Sequence, residues 1–310
     1  KGYITPDEFR SFCGETVPLA RMEKRVYKNS EVFQAEIEMA HFGELPLSDV
    51  TIKCLIANAT GEVLHQVKIQ KDKVPVDNAI SVGSVVFDLG QLTEAGKLTL
   101  TASVEDTPFS NSWDFWVYPD EVVPDPGKVH ITDKLDGTTR EILSNGGSVL
   151  LLTHGQIGEG SGGNVEIGFS SIFWNTAWTG GQAPHTLGIL CDPDHPVFNA
   201  FPTEYHSNWQ WWDPVTHSQA MILDHLPGEL RPLIQPIDTW FENRRLGLAF
   251  EAMIGNGKIM VCSIEMQKRL DKRPASIQLL YSMLQYMNSP DFNPQTGIEA
   301  EQIQELLTKS

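Results

Sequence analysis

The residues best suited to chemistry are concentrated in one stretch of the chain, Cys191–Asp213. This stretch holds three tryptophans, two histidines and four carboxylates within 23 residues. Flat apolar rings beside carboxylates and imidazoles are able to stack on a sugar ring and to hydrogen-bond its hydroxyl groups. Burial of the tryptophans in a core, with polar neighbours at its rim, is the alternative that the sequence leaves open. The candidate carbohydrate-binding residues in and around this stretch are Trp209, Trp211, Trp212, Glu204, His206, Trp174 and His154.

The arrangement of the tryptophans depends on the local backbone. In an extended segment, Trp209 and Trp211 share one side and Trp212 faces the other, because side chains alternate with a period of two. A second aromatic segment, which contains Trp174, precedes Gly180-Gly181. We expect it to be a loop presented beside the main cluster.

The sequence gives weaker support to a nucleophile, to a metal site and to a glycosidase pair of carboxylates. Cys191 follows an apolar run, and His195 and His206 lie downstream, so a Cys–His pair is conceivable. Asp192-Pro193, however, stands where a nucleophile elbow needs small residues. The histidines and acids have no recognised metal-ligand spacing, so neither a metal site nor a cofactor is predicted. Any two of the 40 acidic residues could form a glycosidase pair, which sequence spacing alone does not reveal.

Composition limits the classes of partner. The chain has 310 residues, 41% of them hydrophobic, which is enough for two domains. Its formal net charge of −17 argues against binding to nucleic acids or anionic membranes, which need basic surfaces. No apolar run reaches the roughly 18 residues of a membrane span, and no signal peptide is recognised. Because the chain opens at Lys1 and not at Met, it fits a processed or excised piece of a longer protein.

Periodicity and turn signals divide the chain into regions of different class. In the first half, alternating apolar and polar residues predict about seven short strands. Three prolines after Tyr118 then indicate a linker, because proline removes a backbone donor and fixes the local dihedral angle. The predicted regions are a lead-in segment (1–18) with a helix over residues 5–12, an antiparallel immunoglobulin-like β-sandwich (19–118), a linker (119–128) and an α/β domain (129–310).

The second domain carries the signals of a parallel sheet. The continuous apolar run up to Leu152 is typical of a strand that is buried on both faces. His154 follows at the carboxyl end of this strand, where open α/β sheets place their ligands. Gly255-Asn256-Gly257 predicts a hairpin, and helical periodicity predicts helices over 133–144, 273–287 and 298–307. We therefore expect a flavodoxin-like layout with added strands.

Two stretches carry a family resemblance. The first, residues 1–21, reads KGYITPDEFRSFCGETVPLAR. The second runs from His195 to Trp212 and continues through SQAMILD at 218–224 and RPLIQ at 231–235. Together they resemble the carboxyl-terminal portion of bacterial beta-galactosidase-like enzymes of glycoside hydrolase family 2, after the catalytic barrel.

The resemblance implies a β-sandwich followed by a domain like the class I glutamine amidotransferases in fold, in a periplasmic or secreted protein. The family's catalytic glutamates lie on a barrel of about 250 residues. The sequence shows no such barrel and no Gly-x-Cys-x-Gly elbow of an amidotransferase. No catalytic residue is therefore carried over.

The sequence thus predicts a non-catalytic accessory region of a glycoside hydrolase. Its expected partner is a neutral oligosaccharide, or the catalytic barrel of the parent enzyme whose active site it completes. One alternative is a purely structural or homo-oligomerisation domain in which the tryptophans are buried. The other is an independent hydrolase that uses Cys191 or a carboxylate pair.

Overall fold

The computed structural model of the protein describes residues 2–170, 180–181 and 183–307. The chain divides into two units, Lys1–Asp120 and Glu121–Ser310. Most of the regular structure is β-strand, with few helices. No helix of the described ranges combines the length and the apolar character that a bilayer crossing requires.

The first unit is a β-sandwich of two sheets. One sheet has the strand order β1-β3-β6 and the other the order β2-β8-β7-β4-β5. All strand pairs are antiparallel except β2 with β8. The elements are α1 (Pro6–Phe12), β1 (Thr16–Arg21), β2 (Val26–Lys28), β3 (Val32–His41), β4 (Leu47–Asn58), β5 (Val63–Val74), β6 (Asp77–Asp88), β7 (Gly96–Val104) and β8 (Ser110–Tyr118).

Period-two alternation explains the core between these sheets. In β3, Phe33, Ala35 and Ile37 are fully buried while the residues between them are not. The Phe33 ring stacks on Phe115 of the other sheet, with the ring centroids 4.1 Å apart. The short lead-in helix is also confirmed, since α1 spans Pro6–Phe12. Thr5 and Glu8 form a capping box at its start.

The second unit is built on a six-stranded mixed sheet of order β11-β13-β15-β16-β10-β9, beside a two-stranded pair of β12 and β14. Among the described strands of this unit, β9, β10 and β16 are the ones that pair in parallel. The elements are β9 (Val129–Thr132), α2 (Gly137–Ser144), β10 (Ser148–Leu152), β11 (Ile189–Leu190), α3 (Trp212–Thr216), β12 (Met221–Ile222), β13 (Pro232–Pro236), β14 (Leu246–Gly247), β15 (Ala249–Ile254), β16 (Gly257–Cys262), α4 (Pro274–Asn288) and α5 (Ala300–Gln304).

The expected flavodoxin-like layout is not shown. A flavodoxin-like sheet is parallel, because a helix returns the chain between successive strands. Here the predicted Gly255–Gly257 hairpin forms, and it places β15 antiparallel beside β16. β13 and β11 then extend the sheet with further antiparallel pairs. In the part of the chain that the structure describes, the parallel pairing therefore involves three strands.

The two faces of this sheet are covered by different elements. Phe250 and Ala252 of β15 pack in one apolar core with residues of α2 and α5. Glu251, between them, points to the opposite face, because successive strand residues alternate. There it accepts a hydrogen bond from the hydroxyl of Tyr286 on α4. The carboxyl ends of β10 and β16 lie side by side, since these two strands are parallel neighbours.

Candidate functional site

Aromatic side chains at the start of α3 form a half-exposed cluster. The Asn208 side chain accepts a hydrogen bond from the Gln210 backbone N–H and begins a 3₁₀ turn, Trp209–Trp211, which continues into α3. Helical residues three apart lie on one side. Trp209 and Trp212 are therefore neighbours, with ring centroids 6.1 Å apart. Trp209 is 49% exposed and Trp212 is 52% exposed.

Phe169 completes this cluster from a different part of the chain. Its ring centroid lies 5.3 Å from that of Trp209 and 5.2 Å from that of Trp212. The Ser207 hydroxyl donates to the backbone carbonyl of Phe169 at 2.8 Å, which fixes one segment against the other. We call Phe169, Trp209 and Trp212 the aromatic patch.

Trp211 does not belong to the patch, although the sequence places it beside Trp209 in an extended segment. It is fully buried, and its ring packs against Phe198 and Phe201. Its indole N–H donates to the Thr203 hydroxyl at 2.8 Å. Trp209 and Trp211 would share one side only in an extended segment, and this segment is helical. Trp211 therefore anchors the turn that presents its two neighbours.

The remaining predicted site residues of this region, Glu204, His206 and Trp174, do not belong to the aromatic patch. Glu204 accepts a hydrogen bond from the side-chain amide of Asn208, the residue that begins the turn. His206 is exposed, and its ring meets Tyr205 edge-on at 4.9 Å. Trp174 lies outside the described residues. Glu204 thus supports the turn through its contact with Asn208.

A network of charged and polar side chains begins at Asp213, the residue that follows Trp212 of the patch. The Arg273 guanidinium binds Asp213, with Nε at 2.9 Å from both carboxylate oxygens. Ser276 donates to Asp213 at 2.5 Å, and Asp213 Oδ1 is 3.1 Å from His217 Nδ1. The same arginine donates through a terminal nitrogen to the backbone carbonyl of Glu265 at 2.8 Å. Arg273 therefore joins α3 to the chain that follows β16.

His154 and Glu265 meet at the carboxyl ends of the two parallel strands. His154 follows β10 and Glu265 follows β16, and His154 Nδ1 lies 3.4 Å from Glu265 Oε2. Glu265 is almost fully buried, and its other oxygen accepts hydrogen bonds from the backbone N–H groups of Gln267 and Lys268. The expectation that His154 sits at a ligand-binding edge rests on this position. We call Asp213, Arg273, His217, Glu265 and His154 the polar network.

Electrostatics give this pair opposite charge preferences. Burial lowers the pKa of His154, although the nearby Glu265 carboxylate works to raise it. Burial works to raise the pKa of Glu265, but the two backbone N–H groups that it accepts from lower the pKa overall. At neutral pH His154 is uncharged and Glu265 is ionised. A neutral imidazole oriented by a carboxylate offers its remaining nitrogen to a ligand hydroxyl.

Sequence reasoning missed Glu265 and Arg273. A signal for Glu265 was present, because it lies three residues beyond the end of one strand of a parallel pair, while His154 lies two residues beyond the end of the other. Carboxyl ends of neighbouring parallel strands share one edge of the sheet. Arg273 immediately precedes Pro274 at the start of α4, and its pairing with Asp213 spans 60 residues of chain. Nothing in the local pattern indicates that contact.

Cys191 is placed unfavourably for nucleophilic catalysis. Its thiol donates to the backbone carbonyl of Glu204 at 3.2 Å, and burial raises its pKa to about 12. A thiol with so high a pKa is almost entirely protonated at neutral pH. Within the described part of the chain, no group of three or more His, Cys, Asp or Glu is arranged to hold a metal ion.

Comparison with protein families assigns the second unit. The second unit comes after the β-sandwich in the chain. It contains the mixed sheet, the aromatic patch and the polar network. The chain belongs to the family described as domain of unknown function DUF8487, whose model matches residues 130–308. A second model, domain of unknown function DUF8488, matches residues 31–119, within the sandwich.

Comparison with curated sequences and solved structures adds distant likenesses. No curated protein matches. A CARDB domain from Pyrococcus furiosus is 9% identical, with 34% of this chain and 93% of that chain covered and a TM-score of 0.26. A beta-glucuronidase from Parabacteroides merdae is 8% identical (45% and 21% covered, TM-score 0.25). A putative beta-galactosidase from Bacteroides fragilis is 10% identical (45% and 25% covered, TM-score 0.24). The chain spans about a quarter or less of these two glycosidases.

Proposed function

We propose that the second unit is a non-catalytic accessory module of a glycoside hydrolase and that its aromatic patch binds a neutral oligosaccharide. The carrying observation is the pair of half-exposed indole rings, Trp209 and Trp212, on one helical side. Large aromatic rings in contact with water are costly, and an apolar sugar face would cover them. The buried Trp211 holds the turn in place, so that the pair is oriented before a ligand arrives.

Hydrogen-bonding groups adjoin the patch. Asp213 directly follows Trp212, and His217 lies at the end of the same short helix. His217 is exposed, and its Nδ1 is engaged with the Asp213 backbone carbonyl at 3.0 Å. Its Nε2 remains the nitrogen through which it would meet a sugar hydroxyl. A mixed aromatic and polar surface of this kind suits a neutral, hydroxyl-rich ligand.

The parent enzyme is proposed from the family resemblance. Residues 1–21 and 195–212 resemble the region that follows the barrel in glycoside hydrolase family 2. In that setting, the module would hold the parent on its substrate or complete the rim of its active site. The proposed location is periplasmic or secreted, where such substrates occur.

Binding of oligosaccharides by the whole 310-residue chain tests the proposal. Isothermal titration calorimetry against a panel of neutral plant and host oligosaccharides should give saturable binding by at least one of them. Trp209→Ala and Trp212→Ala should each weaken it at least tenfold, or about 1.4 kcal/mol. Trp240→Ala is the matched control, because Trp240 is also exposed but lies on the loop after β13. It should bind as the native chain does.

Two outcomes would oppose the proposal. Either no oligosaccharide binds, or the two patch variants bind as tightly as the native chain. The structural alternative is a patch that docks on the parent barrel or on a second copy of this chain. If Trp209→Ala and Trp212→Ala reduce the mass of the protein in sedimentation without affecting sugar binding, the patch is an oligomer interface. The structural alternative, as the sequence suggested it, has all the clustered tryptophans buried. Trp209 and Trp212 are about half exposed.

A further inference from the structure

A cavity of about 370 Å³ opens on the same unit, and no residue of the aromatic patch is among its described lining residues. Its size falls within the range of small-molecule sites. The walls combine acids, bases, amides and apolar side chains. The lining residues that matter here are Asp192, His195, Arg231, Glu251, Gln295 and Thr296.

Glu251 is a partly buried carboxyl group on the wall of this cavity. It stands in the middle of β15, between the buried Phe250 and Ala252. A carboxylate in the middle of a strand loses hydration, and burial raises its pKa. One oxygen accepts from the Tyr286 hydroxyl at 2.8 Å. Glu251 is also one of the residues that line the cavity.

His195 and Arg231 supply hydrogen-bond donors, whereas the Glu251 carboxyl group supplies acceptors. The backbone N–H of Val197 donates to His195 Nδ1 at 3.2 Å, so the neutral ring carries its proton on Nε2. Burial lowers the pKa of His195, which favours this neutral form. The His195 ring also packs edge-on against Tyr286, at 5.2 Å between centroids. Arg231 is exposed and, within the described ranges, forms no ion pair.

From this set of groups we infer that the cavity is a second binding site, for a single neutral sugar ring. Carboxyl oxygens of Glu251 and Asp192 accept from hydroxyl groups, while Arg231 and His195 Nε2 donate to them. Pro232, Leu233 and Pro294 provide apolar contact for the carbon skeleton. The inference goes beyond the proposed function, because it uses none of the residues of the aromatic patch.

Charge favours a neutral ligand over an ion. An anion attracted by Arg231 would also meet the Asp192 carboxylate in the same cavity. A metal ion would find two carboxyl groups, one of them biased toward its protonated form by burial. A sugar ring uses donors and acceptors together and leaves neither sign of charge unbalanced.

Saturation-transfer difference NMR with free D-glucose, D-galactose and D-mannose tests the site. The experiment uses the full chain with Trp209→Ala and Trp212→Ala, so that the aromatic patch contributes nothing. At least one hexose should give a saturable signal. Glu251→Gln and Arg231→Ala, each added to that background, should weaken binding about tenfold or more, because the first removes a carboxyl oxygen and the second removes a guanidinium donor.

The controls separate this inference from the proposed function. Glu251→Gln keeps an acceptor for Tyr286, and Arg231 is exposed, so both variants should fold as the background chain does. Lys272→Ala, an exposed cation of the same unit outside the cavity, should leave the signal unchanged. Absence of a saturable signal with all three hexoses overturns the inference. So does binding that survives both cavity variants. Either result leaves the oligosaccharide test of the aromatic patch intact.

Discussion

Arg273 holds Asp213 with its Nε at 2.9 Å from both carboxylate oxygens, across 60 residues of chain. Asp213 is the second residue of the short helix that Trp212 begins, and Arg273 precedes the longest described helix of the unit. The arginine also donates to the Glu265 backbone, next to His154. One guanidinium thus fixes the aromatic patch relative to the carboxyl ends of the parallel strands.

Replacement of Asp213 by alanine should therefore destabilise the second unit. The Arg273 side chain is only 11% exposed, so the substitution leaves a largely buried cation without its carboxylate. Because Asp213 itself is 26% exposed, we expect a loss of about 2 kcal/mol, below the value for a fully buried pair. Urea unfolding at neutral pH, followed by tryptophan fluorescence, measures the change.

Arg140→Ala is the control for that substitution. Arg140 pairs with Glu301 in the same unit, but the two side chains are 37% and 70% exposed. Exposed pairs contribute less than about 1 kcal/mol, so the control should change the unfolding free energy very little. Equal effects of Asp213→Ala and Arg140→Ala would show that Asp213 does not hold α3 in place.

The three clustered tryptophans should differ sharply in their effect on stability. Trp211 is fully buried and hydrogen-bonded to Thr203. Trp211→Ala should cost roughly 3–5 kcal/mol, as large-to-small core substitutions do. Trp209→Ala and Trp212→Ala should cost about 1 kcal/mol or less, because their rings are half in water already. Thermal unfolding by circular dichroism compares the three variants.

If Trp211→Ala does not accumulate as folded protein, Trp211→Phe provides the measurement. It keeps an aromatic ring against Phe198 and Phe201 but removes the donor to Thr203, and it should cost about 1 kcal/mol. A rank order in which Trp212→Ala is more harmful than Trp211→Ala would contradict the described burial.

The sequence predicted the sandwich strands well because one face of each is buried. The run at residues 31–40 alternates visibly, and the strand is found at Val32–His41. Short edge strands such as β1 and β2 carry less of that pattern. In the second unit, the hairpin at Gly255–Gly257 was recognised. That hairpin makes β15 antiparallel to β16, and the expected parallel layout does not include such a strand.

The site was predicted by residue type more successfully than by geometry. Aromatic density singled out Trp209 and Trp212. Their pairing required a helical backbone, for which Asn208 as N-cap was the available signal. The contact of His154 with Glu265 depends on strand order. That order is decided by pairing between segments more than a hundred residues apart, which periodicity does not encode.

The cysteines should show one reactive thiol in the folded chain. Cys13 is exposed, whereas burial raises the pKa of Cys54 to about 11 and the pKa values of Cys191 and Cys262 to about 12. Buried protonated thiols react slowly with disulfide reagents. Titration with Ellman's reagent at neutral pH should label Cys13 in the native chain and all four thiols in denaturant. Rapid native labelling of Cys191, found by peptide mass spectrometry after Cys13→Ser, would revive its role as a nucleophile.

The pKa of His154 should respond in opposite directions to its two charged neighbours. Its folded pKa lies below the ordinary value of 6.5, chiefly through burial, while Glu265 raises it and Lys268 lowers it. Glu265→Gln should therefore lower the pKa further, and the matched variant Lys268→Ala should raise it. NMR titration of the His154 imidazole measures both.

Stability must follow the same linkage. Because the folded pKa of His154 is depressed, its neutral form stabilises the fold above pH 6.5, and that stability is lost as the pH falls through the folded pKa. His154→Gln should thus make the unfolding free energy less sensitive to acidification from pH 7 to pH 5. Between pH 7 and pH 5, Glu265→Gln should lose more unfolding free energy than the native chain, because the carboxylate that raises the pKa of His154 is absent. An unfolding free energy that falls equally in the native chain and in His154→Gln over this range would show that burial does not perturb His154.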